Sequence, residues 1–359
     1  MSLLFVLLLA LPAAAPADTA SAVRWTRAAI DFWDAAFDER QRGEDVALPA
    51  PLALTTALAL AQHDAAPDPA AISAASAAVL AGLFPDRSDR IRARLSRELA
   101  GLGPDTLGAA RGRVAGVARL AVAEGIREAS PVPLLEGPGL WEPAPGTTPA
   151  GIEIPSYPLL VLPRAEVFRS PPPPALGSAA MEASLDSVRH AVRVRTAAQR
   201  RAARRWANRS AFLAWAEIAA DLLAKHGASE AEAARTLAVL YVSLYDATAA
   251  CFEAKYHYNV PRPSHLDPGI ERPFLVSLPN FPAYPAGHGC SAGVAETVLA
   301  WALPEEEAFV RAEAFEMAES RLWAGVHYPF DNREGVRLGR EVARYVIAHS
   351  ARLAARVDG

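Results

Sequence analysis

Apolar side chains recur with the period of an α-helix along most of this chain. In Arg24–Arg40, tryptophan, phenylalanine and alanine residues fall on one helical face. The same period predicts helices in the segments Leu52–Ala61, Ala71–Leu83, Ile91–Leu102, Val114–Ile126 and Ala233–Phe252, and from about Asn332 onward. No alternating pattern is long enough to build a sheet. The sequence therefore predicts an all-α protein.

Prolines interrupt the helical pattern in one long stretch. They recur from Pro131 to Pro174, where regular helix is forbidden. The sequence thus divides into an N-terminal helical region (18–130), a proline-rich connection (131–178) and a C-terminal helical bundle (179–359).

The first 17 residues have the composition of an export signal. Met1–Leu11 is almost wholly apolar, and Ala15-Pro16-Ala17 offers a cleavage site. The apolar run is too short to span a bilayer, although a buried N-terminal helix would have the same composition. We expect residues 1–17 to be a signal peptide and the mature protein to be exported, periplasmic or secreted, without a membrane span.

Charge and cysteine content exclude several classes of protein. The formal net charge of −4 argues against nucleic acid as a partner, since phosphate-backbone binding needs a basic surface. Eight arginines between Arg189 and Arg209 would suit a polyanion, but without an overall basic excess a face balanced by neighbouring acids is favoured. Cys251 and Cys290 are too few for a disulfide scaffold, but they could form one bridge between two helices.

Two clusters of polar residues stand out in the C-terminal half. Lys255 lies at the end of a predicted core helix, and Arg262 follows seven residues later before a proline. Gly287 and His288 open another helix, where free N–H groups and the positive end of the helix dipole favour an anion.

A third cluster contains Arg321, His327 and Asp331. Asp331 can fix the tautomer of His327 four residues earlier, and with Glu334 it also fits a capping box. Together the clusters supply three cations, a helix N-terminus and two histidines. This set suits a tetrahedral oxyanion, because arginines bind such groups bidentately and histidines can attack, ligate or transfer protons.

The motifs Lys-x6-Arg-Pro, Pro-x-Gly-His and Ser-Arg-x5-His-x3-Asp, found within residues 255–331, resemble those of one superfamily. It joins vanadium-dependent haloperoxidases with type 2 phosphatidic-acid phosphatases and bacterial acid phosphatases. The residues that flank the motifs look most like those of the soluble, haloperoxidase-related branch. The resemblance implies a helical bundle over about residues 180–359.

The resemblance also implies a role for each motif residue. His327 would be the vanadate ligand of a haloperoxidase, or the nucleophile that forms a phosphohistidine in a phosphatase. His288 would be the acid–base group, and Asp331 would orient His327. The residues that would bind the oxyanion are Lys255, Arg262, Arg321 and, through its backbone N–H, Gly287.

Two positions bear on activity within this family pattern. Ala286 stands where the family usually has serine, so one hydroxyl hydrogen bond to the oxyanion is lost and weaker binding is expected. Phe281, seven residues before His288, resembles the phenylalanine of the fungal chloride-oxidising type more than the histidine of bromide-preferring algal members.

Four functions remain open from the sequence. A haloperoxidase would use vanadate as cofactor, with peroxide and halide as substrates. The residues that flank the motifs favour this function. An acid phosphatase would hydrolyse a phosphate ester without a cofactor. A serine hydrolase is suggested by the G-x-S-x-G match at Gly289–Gly293 with Asp331 and His349, but no strand precedes it. A non-catalytic oxyanion-binding protein is the fourth.

Overall fold

Helices form nearly all of the regular structure in residues 19–103, 105–272 and 278–353, the residues that the computed structural model describes. The helices are α1 (Ser21–Gln41), α2 (Pro51–Ala65), α3 (Pro69–Leu83), α4 (Ser88–Leu102), α5 (Thr106–Glu128), α6 (Ala179–Val194), α7 (Ala197–Ala207), α8 (Ala211–Lys225), α9 (Glu230–Tyr258), α10 (Pro263–Leu266), α11 (Gly287–Ala302), α12 (Glu307–Trp323) and α13 (Pro329–Ala348). Short 3₁₀ turns lie at Pro85–Arg87, Ile154–Ser156, Ala165–Phe168, Pro304–Glu306 and Ser350–Leu353. The all-α prediction is confirmed, and the predicted signal peptide (1–17) lies outside the described residues.

α9 is the central helix of the fold. Ser229 and Glu232 form a capping box at its start, and apolar residues are buried around almost its whole circumference. The run Glu230–Leu266 is long and apolar enough to cross a membrane, but 89% of its most apolar window is buried inside the protein. α9 is therefore packed as a core helix.

The N-terminal helices share their core with the C-terminal bundle. One continuous apolar cluster joins buried residues of α1, α2 and α3 to residues of α8, α9, α11 and α13. Within this region α5 approaches α3 closely, because a side chain on Gly112 or Gly116 would meet the α3 carbonyls of Ala71 or Ala75. The division at residues 130 and 178 stays a prediction.

The proline-rich connection is fastened to α9 by a buried carboxylate. Asp246 accepts hydrogen bonds from the backbone N–H groups of Leu160, Val161 and Leu162, each at 2.8 Å. Asn259, which ends α9 in the left-handed conformation, donates from its side-chain amide to the carbonyl of Trp141 at 3.1 Å. The connection thus contains no α-helix, as its prolines predict, yet it is held in place.

α11 and α13 approach each other closely at glycine residues. A Cβ on Gly293 would come within 2.2 Å of the Val336 carbonyl oxygen, and one on Gly339 within 2.1 Å of the Cys290 carbonyl oxygen. The glycines of the G-x-S-x-G match therefore serve helix packing. Ser291 lies inside α11 and donates to the Gly287 carbonyl at 3.2 Å. The arrangement excludes the nucleophile elbow of a serine hydrolase.

The disulfide considered from the sequence is absent. Cys251 and Cys290 are buried as free thiols. The Cys251 thiol faces the Pro285 carbonyl at 3.8 Å, where it can donate a weak hydrogen bond.

Candidate oxyanion site

The three motifs meet where α9, α11, α12 and α13 come together. Lys255 lies in the last turn of α9, and Arg262 directly precedes α10. Arg321 lies in the last turn of α12, and His327 follows in the connection to α13. All four side chains are buried, and the burial of three cations without a matching number of carboxylates is exceptional.

His327 is held as a neutral imidazole with a defined tautomer. Its Nδ1 lies 2.8 Å from Oδ2 of Asp331, and because a carboxylate only accepts, Nδ1 carries the proton. Nε2 is then an unprotonated lone pair, 2.9 Å from a guanidinium nitrogen of Arg262. Burial and the neighbouring cations hold the pKa of His327 well below its usual range.

Asp331 occupies the third position of α13 and is fully buried. Its Oδ2 also accepts from the backbone N–H of Tyr328 at 3.0 Å, so Tyr328 is the N-cap residue. This corrects the expected capping box with Glu334, which instead pairs with Arg333 and Arg337. Burial raises the pKa of Asp331 to about 7, opposed by the Tyr328 N–H and the nearby cations.

Arg262 uses its guanidinium to organise the site. It donates to the carbonyls of Phe281 and Pro282 on one side and of Val326 on the other, besides its contact with His327. The Phe281 ring lies 5.0 Å from the Arg262 guanidinium carbon and 5.1 Å from Nζ of Lys255, a cation–π arrangement with both. Burial lowers the pKa of Arg262 to about 9.

Lys255 makes contacts that the motif did not indicate. Its Nζ donates to the carbonyls of Pro282, Ala283 and Pro285 at 3.0, 2.9 and 2.5 Å. An ammonium has three protons, so all of its donors are used by the loop that leads into α11. Burial lowers the pKa of Lys255 to about 8. Its charge is present at the site, but the structure leaves it no donor for a direct bond to an oxyanion.

Arg321 is the cation with unused donors. Its side chain is 4% exposed, and within the described part of the chain its one polar contact is to Nε2 of His288 at 3.4 Å. His288 Nε2 lies 2.8 Å from the Trp206 carbonyl, which places the proton on Nε2 and leaves Nδ1 free. Burial and Arg321 lower the pKa of His288 to about 3, so the ring is neutral near pH 7.

The N-terminus of α11 completes the site. Ala286 is its N-cap residue and offers no side-chain oxygen, so no capping side chain occupies the N–H groups of the first turn. A Cβ built on Gly287 would meet nothing within 4 Å, so open space adjoins these groups. The Ala286 N–H donates to the Asp331 carbonyl at 2.9 Å, which ties this helix start to the His327–Asp331 pair.

The site therefore combines three buried cations with one buried carboxylate, a histidine lone pair and an uncapped helix N-terminus. A tetrahedral oxyanion would neutralise the excess charge and use the free donors of Arg321 and α11. Among the described residues, no three His, Cys, Asp or Glu side chains form a group that could hold a metal cation. The residues fit vanadate or phosphate, because cationic groups and helix N–H groups bind such oxyanions and the His327 lone pair could ligate or attack the central atom.

The sequence motifs did not include the carbonyls that position these groups. The Trp206 carbonyl orients His288 from α7, and the Phe281–Pro285 carbonyls receive Lys255 and Arg262. Backbone acceptors carry no residue-type signature, so only the three-dimensional arrangement identifies them.

Comparisons with known proteins place the region that contains these residues in a superfamily. Residues 235–353 match the model of the PAP2 superfamily, so the suspected superfamily is confirmed for this region. A search of curated proteins finds no match.

Three solved structures have the same fold over most of the chain. The first bacterial vanadium-dependent iodoperoxidase matches with a TM-score of 0.74 at 18% identity, covering 91% of this chain and 96% of its own. Apo and holo forms of a bacterial vanadium-dependent chloroperoxidase match with TM-scores of 0.66 and 0.64, at 14% and 13% identity. They cover 84% and 86% of this chain and 94% of their own. At these identities the likeness shows a shared fold.

Proposed function

We propose that this protein is a vanadium-dependent haloperoxidase, which oxidises a halide with hydrogen peroxide. The observation that carries the proposal is the Nε2 lone pair of His327, held by Asp331 among buried cations that have too few carboxylate partners. The choice of haloperoxidase is supported by the fold likeness to vanadium haloperoxidases, which extends through the N-terminal helices as well as the region of the family model.

Vanadate would be held by Nε2 of His327, by the guanidinium of Arg321 and by the N–H groups at the start of α11. Arg262 and Lys255 would contribute charge while they hold the Phe281–Pro285 loop in place. Bound vanadate would supply a Lewis-acidic centre that activates peroxide for two-electron oxidation of the halide.

His288 is the proton-transfer group in this proposal. The overall reaction, H₂O₂ + X⁻ + H⁺ → HOX + H₂O, consumes one proton, which must reach an oxygen inside a buried site. His288 is neutral with Nδ1 unprotonated, so it could accept a proton from incoming peroxide and return it to the departing oxygen once a bound oxyanion beside the ring raises its pKa from about 3. The Trp206 carbonyl keeps the ring oriented while it does so.

An acid phosphatase is the second candidate. The same lone pair on His327 could attack phosphorus to form a phosphohistidine, and the match to the PAP2 superfamily favours this reading. Its leaving group would need a proton from His288, whose pKa of about 3 would have to rise on phosphate binding. A dianion beside the ring would have that effect.

A paired assay separates the two reactions. The full-length protein is tested for bromide- and iodide-dependent halogenation of a dye after incubation with orthovanadate and peroxide, and for p-nitrophenyl phosphate hydrolysis. Vanadate-dependent halogenation with little hydrolysis supports the haloperoxidase, whereas hydrolysis that vanadate inhibits supports the phosphatase. Vanadate binding without turnover in either assay would indicate a non-catalytic oxyanion-binding protein.

A matched pair of variants on α12 links the activity to the site. Arg321→Gln should abolish whichever activity is found, whereas Arg311→Gln, an exposed arginine of the same helix, should leave it unchanged.

Export is a separate proposal, based on the composition of Met1–Ala17. N-terminal sequencing of the secreted protein should give Asp18 as the first residue.

A further inference from the structure

The arginine-rich segment Arg189–Arg209 divides into paired and unpaired arginines. Arg205 pairs with two glutamates of α12, and Arg209 pairs with Asp34 and Glu217. Arg189 pairs with Asp186 and Asp267. These three bear out the expectation that acids balance the segment, but they account for only part of it.

Four arginines of the segment line one cleft, and the paired Arg189 is among them. Arg195 and Thr196 join α6 to α7, and Arg195 lines a cleft of about 400 Å³ together with residues of both helices. Val192 and Ile270 give it an apolar part. Its arginines are Arg189, Arg193, Arg195 and Arg200, and its carboxylates are Asp267 and Glu271.

The two carboxylates do not balance this charge. Asp267 is already used by Arg189 and by the backbone N–H of Gly269. Glu271 has an 85% exposed side chain that lies 3.9 Å from Arg195, too far for a hydrogen bond.

Arg193 and Arg200 have no carboxylate partner among the residues that the structure describes. Arg193 contacts only a ring nitrogen of His190 at 3.5 Å, and Arg200 forms no ion pair with any residue that the structure describes. Arg195 is 6% exposed and donates to the carbonyls of Glu271 and Trp323. The cleft therefore contains one buried guanidinium, that of Arg195, flanked by two exposed ones that form no ion pair with a described residue.

We propose that this cleft is a second anion-binding site, separate from the site at His327. Three guanidinium groups around an apolar patch suit a small organic anion that carries a phosphate, sulfate or carboxylate group. The volume lies in the range of small-molecule pockets. The Trp323 carbonyl, which holds Arg195, belongs to the last residue of α12, two residues after Arg321, so the cleft lies behind the turn that leads to His327.

Sulfate is the probe, because it is a dianion that neither reaction consumes. Binding is measured by calorimetry on the full-length protein at constant ionic strength. Arg193→Gln/Arg200→Gln should weaken one class of sulfate sites by at least about tenfold, since charged hydrogen bonds are worth more than a factor of ten each. Arg195 is left in place because its guanidinium also holds backbone carbonyls.

The matched control is Arg201→Gln/Arg204→Gln, which removes the same charge from exposed positions of α7 that do not line the cleft. Arg321→Gln identifies any sulfate bound near His327. Sulfate binding in the cleft can therefore be measured even if the proposed function is wrong. Anomalous diffraction from crystals soaked in selenate should place the anion between Arg193 and Arg200. Equal weakening in both double variants, no weakening in either, or no anion in the cleft would overturn the proposal.

Discussion

The state of His327 depends on a single carboxylate oxygen. Oδ2 of Asp331 accepts both the His327 Nδ1–H and the Tyr328 N–H, whereas Oδ1 is buried and has no hydrogen-bond partner among the described residues. Any change that removes the Nδ1–H bond frees the imidazole to rotate or to move its proton to Nε2. The lone pair required by both proposed reactions is therefore a property of the His327–Asp331 pair.

Substitution of either residue tests this dependence. His327→Ala should reduce turnover to the uncatalysed background, and Asp331→Asn should lower oxyanion affinity by roughly 10–100-fold, the usual effect of removing the partner of a ligating histidine. Turnover and vanadate affinity are the measurements, with circular dichroism as the check on folding. Near-normal turnover in a folded His327→Ala protein would exclude the assigned site.

Ala286 offers a test in the direction of gain. Ala286→Ser restores the hydroxyl that the family pattern has at the N-cap of α11, next to the open space beside Gly287. One neutral hydrogen bond should tighten oxyanion binding about two- to tenfold. Ala286→Gly, which adds no hydroxyl, is the control. Weaker binding in Ala286→Ser would mean that the serine instead caps the helix and takes an N–H group from the anion.

At the scale of single residues, the sequence predicted the types of group in the site better than their contacts. The three motifs identify the cations and histidines that the fold brings together. The saturation of Lys255 by loop carbonyls was not predictable, because it depends on how residues 282–285 turn beneath α9. The same holds for Trp206 and His288, which are far apart in the chain.

At the scale of elements, the contact between α11 and α13 positions the groups of the site. α11 supplies its N-terminus and α13 supplies Asp331, so their separation sets the geometry around His327. That separation is small because glycines face carbonyls across the contact, as with Gly339 and Cys290. The helices themselves were predictable from apolar periodicity, but which faces meet was not.

Gly339→Ala should disturb this contact. The added Cβ would lie 2.1 Å from a backbone oxygen, which cannot move away as a flexible side chain could, so we expect a loss of about 1–3 kcal/mol or more in the free energy of unfolding. Gly101→Ala is the control, because its Cβ would meet nothing within 4 Å on α4. There the change should be neutral or stabilise by up to about 1 kcal/mol. Denaturant titration measures both, and equal stability of the two variants would contradict the packing argument.

The contacts of the proline-rich connection could not be predicted from the sequence. Its prolines exclude helix, but they do not say that Asp246 of α9 would bind three consecutive N–H groups of Leu160–Leu162. A buried aspartate in a core helix has no local explanation. Its partner is a backbone segment about 85 residues away, which a pattern along the chain cannot reveal.

At the scale of the whole molecule, the fold concentrates positive charge in its interior. Lys255, Arg262 and Arg321 are buried together with Asp331 as the main opposing charge, and burial lowers the pKa of each cation. The protein as a whole is slightly acidic, so this excess is local to the site. A bound anion would offset this excess of buried positive charge.

Adding an oxyanion should stabilise the protein in a manner that depends on pH. At 100 times its Kd, an anion that binds only the folded state adds about 2.7 kcal/mol to the free energy of unfolding. The pKa of Lys255 in the empty site is about 8, below its value of 10.5 in the unfolded chain, and a nearby anion raises it again. Above pH 8, binding must therefore take up a proton, and affinity should fall by up to about tenfold per pH unit.

Thermal unfolding with and without vanadate between pH 7 and pH 10 measures this effect. Without vanadate, Lys255 loses its proton above about pH 8 in the folded state but only above about pH 10.5 in the unfolded chain. Lys255 therefore makes the free energy of unfolding rise with pH across that window. In the vanadate complex this rise should be smaller. The difference in stability between the protein with vanadate and the protein without it, called the gap below, should therefore narrow toward pH 10. Arg321→Gln should abolish the gap at every pH, because it removes the guanidinium with free donors. A gap that stays constant to pH 10 would show that Lys255 does not sense the bound anion.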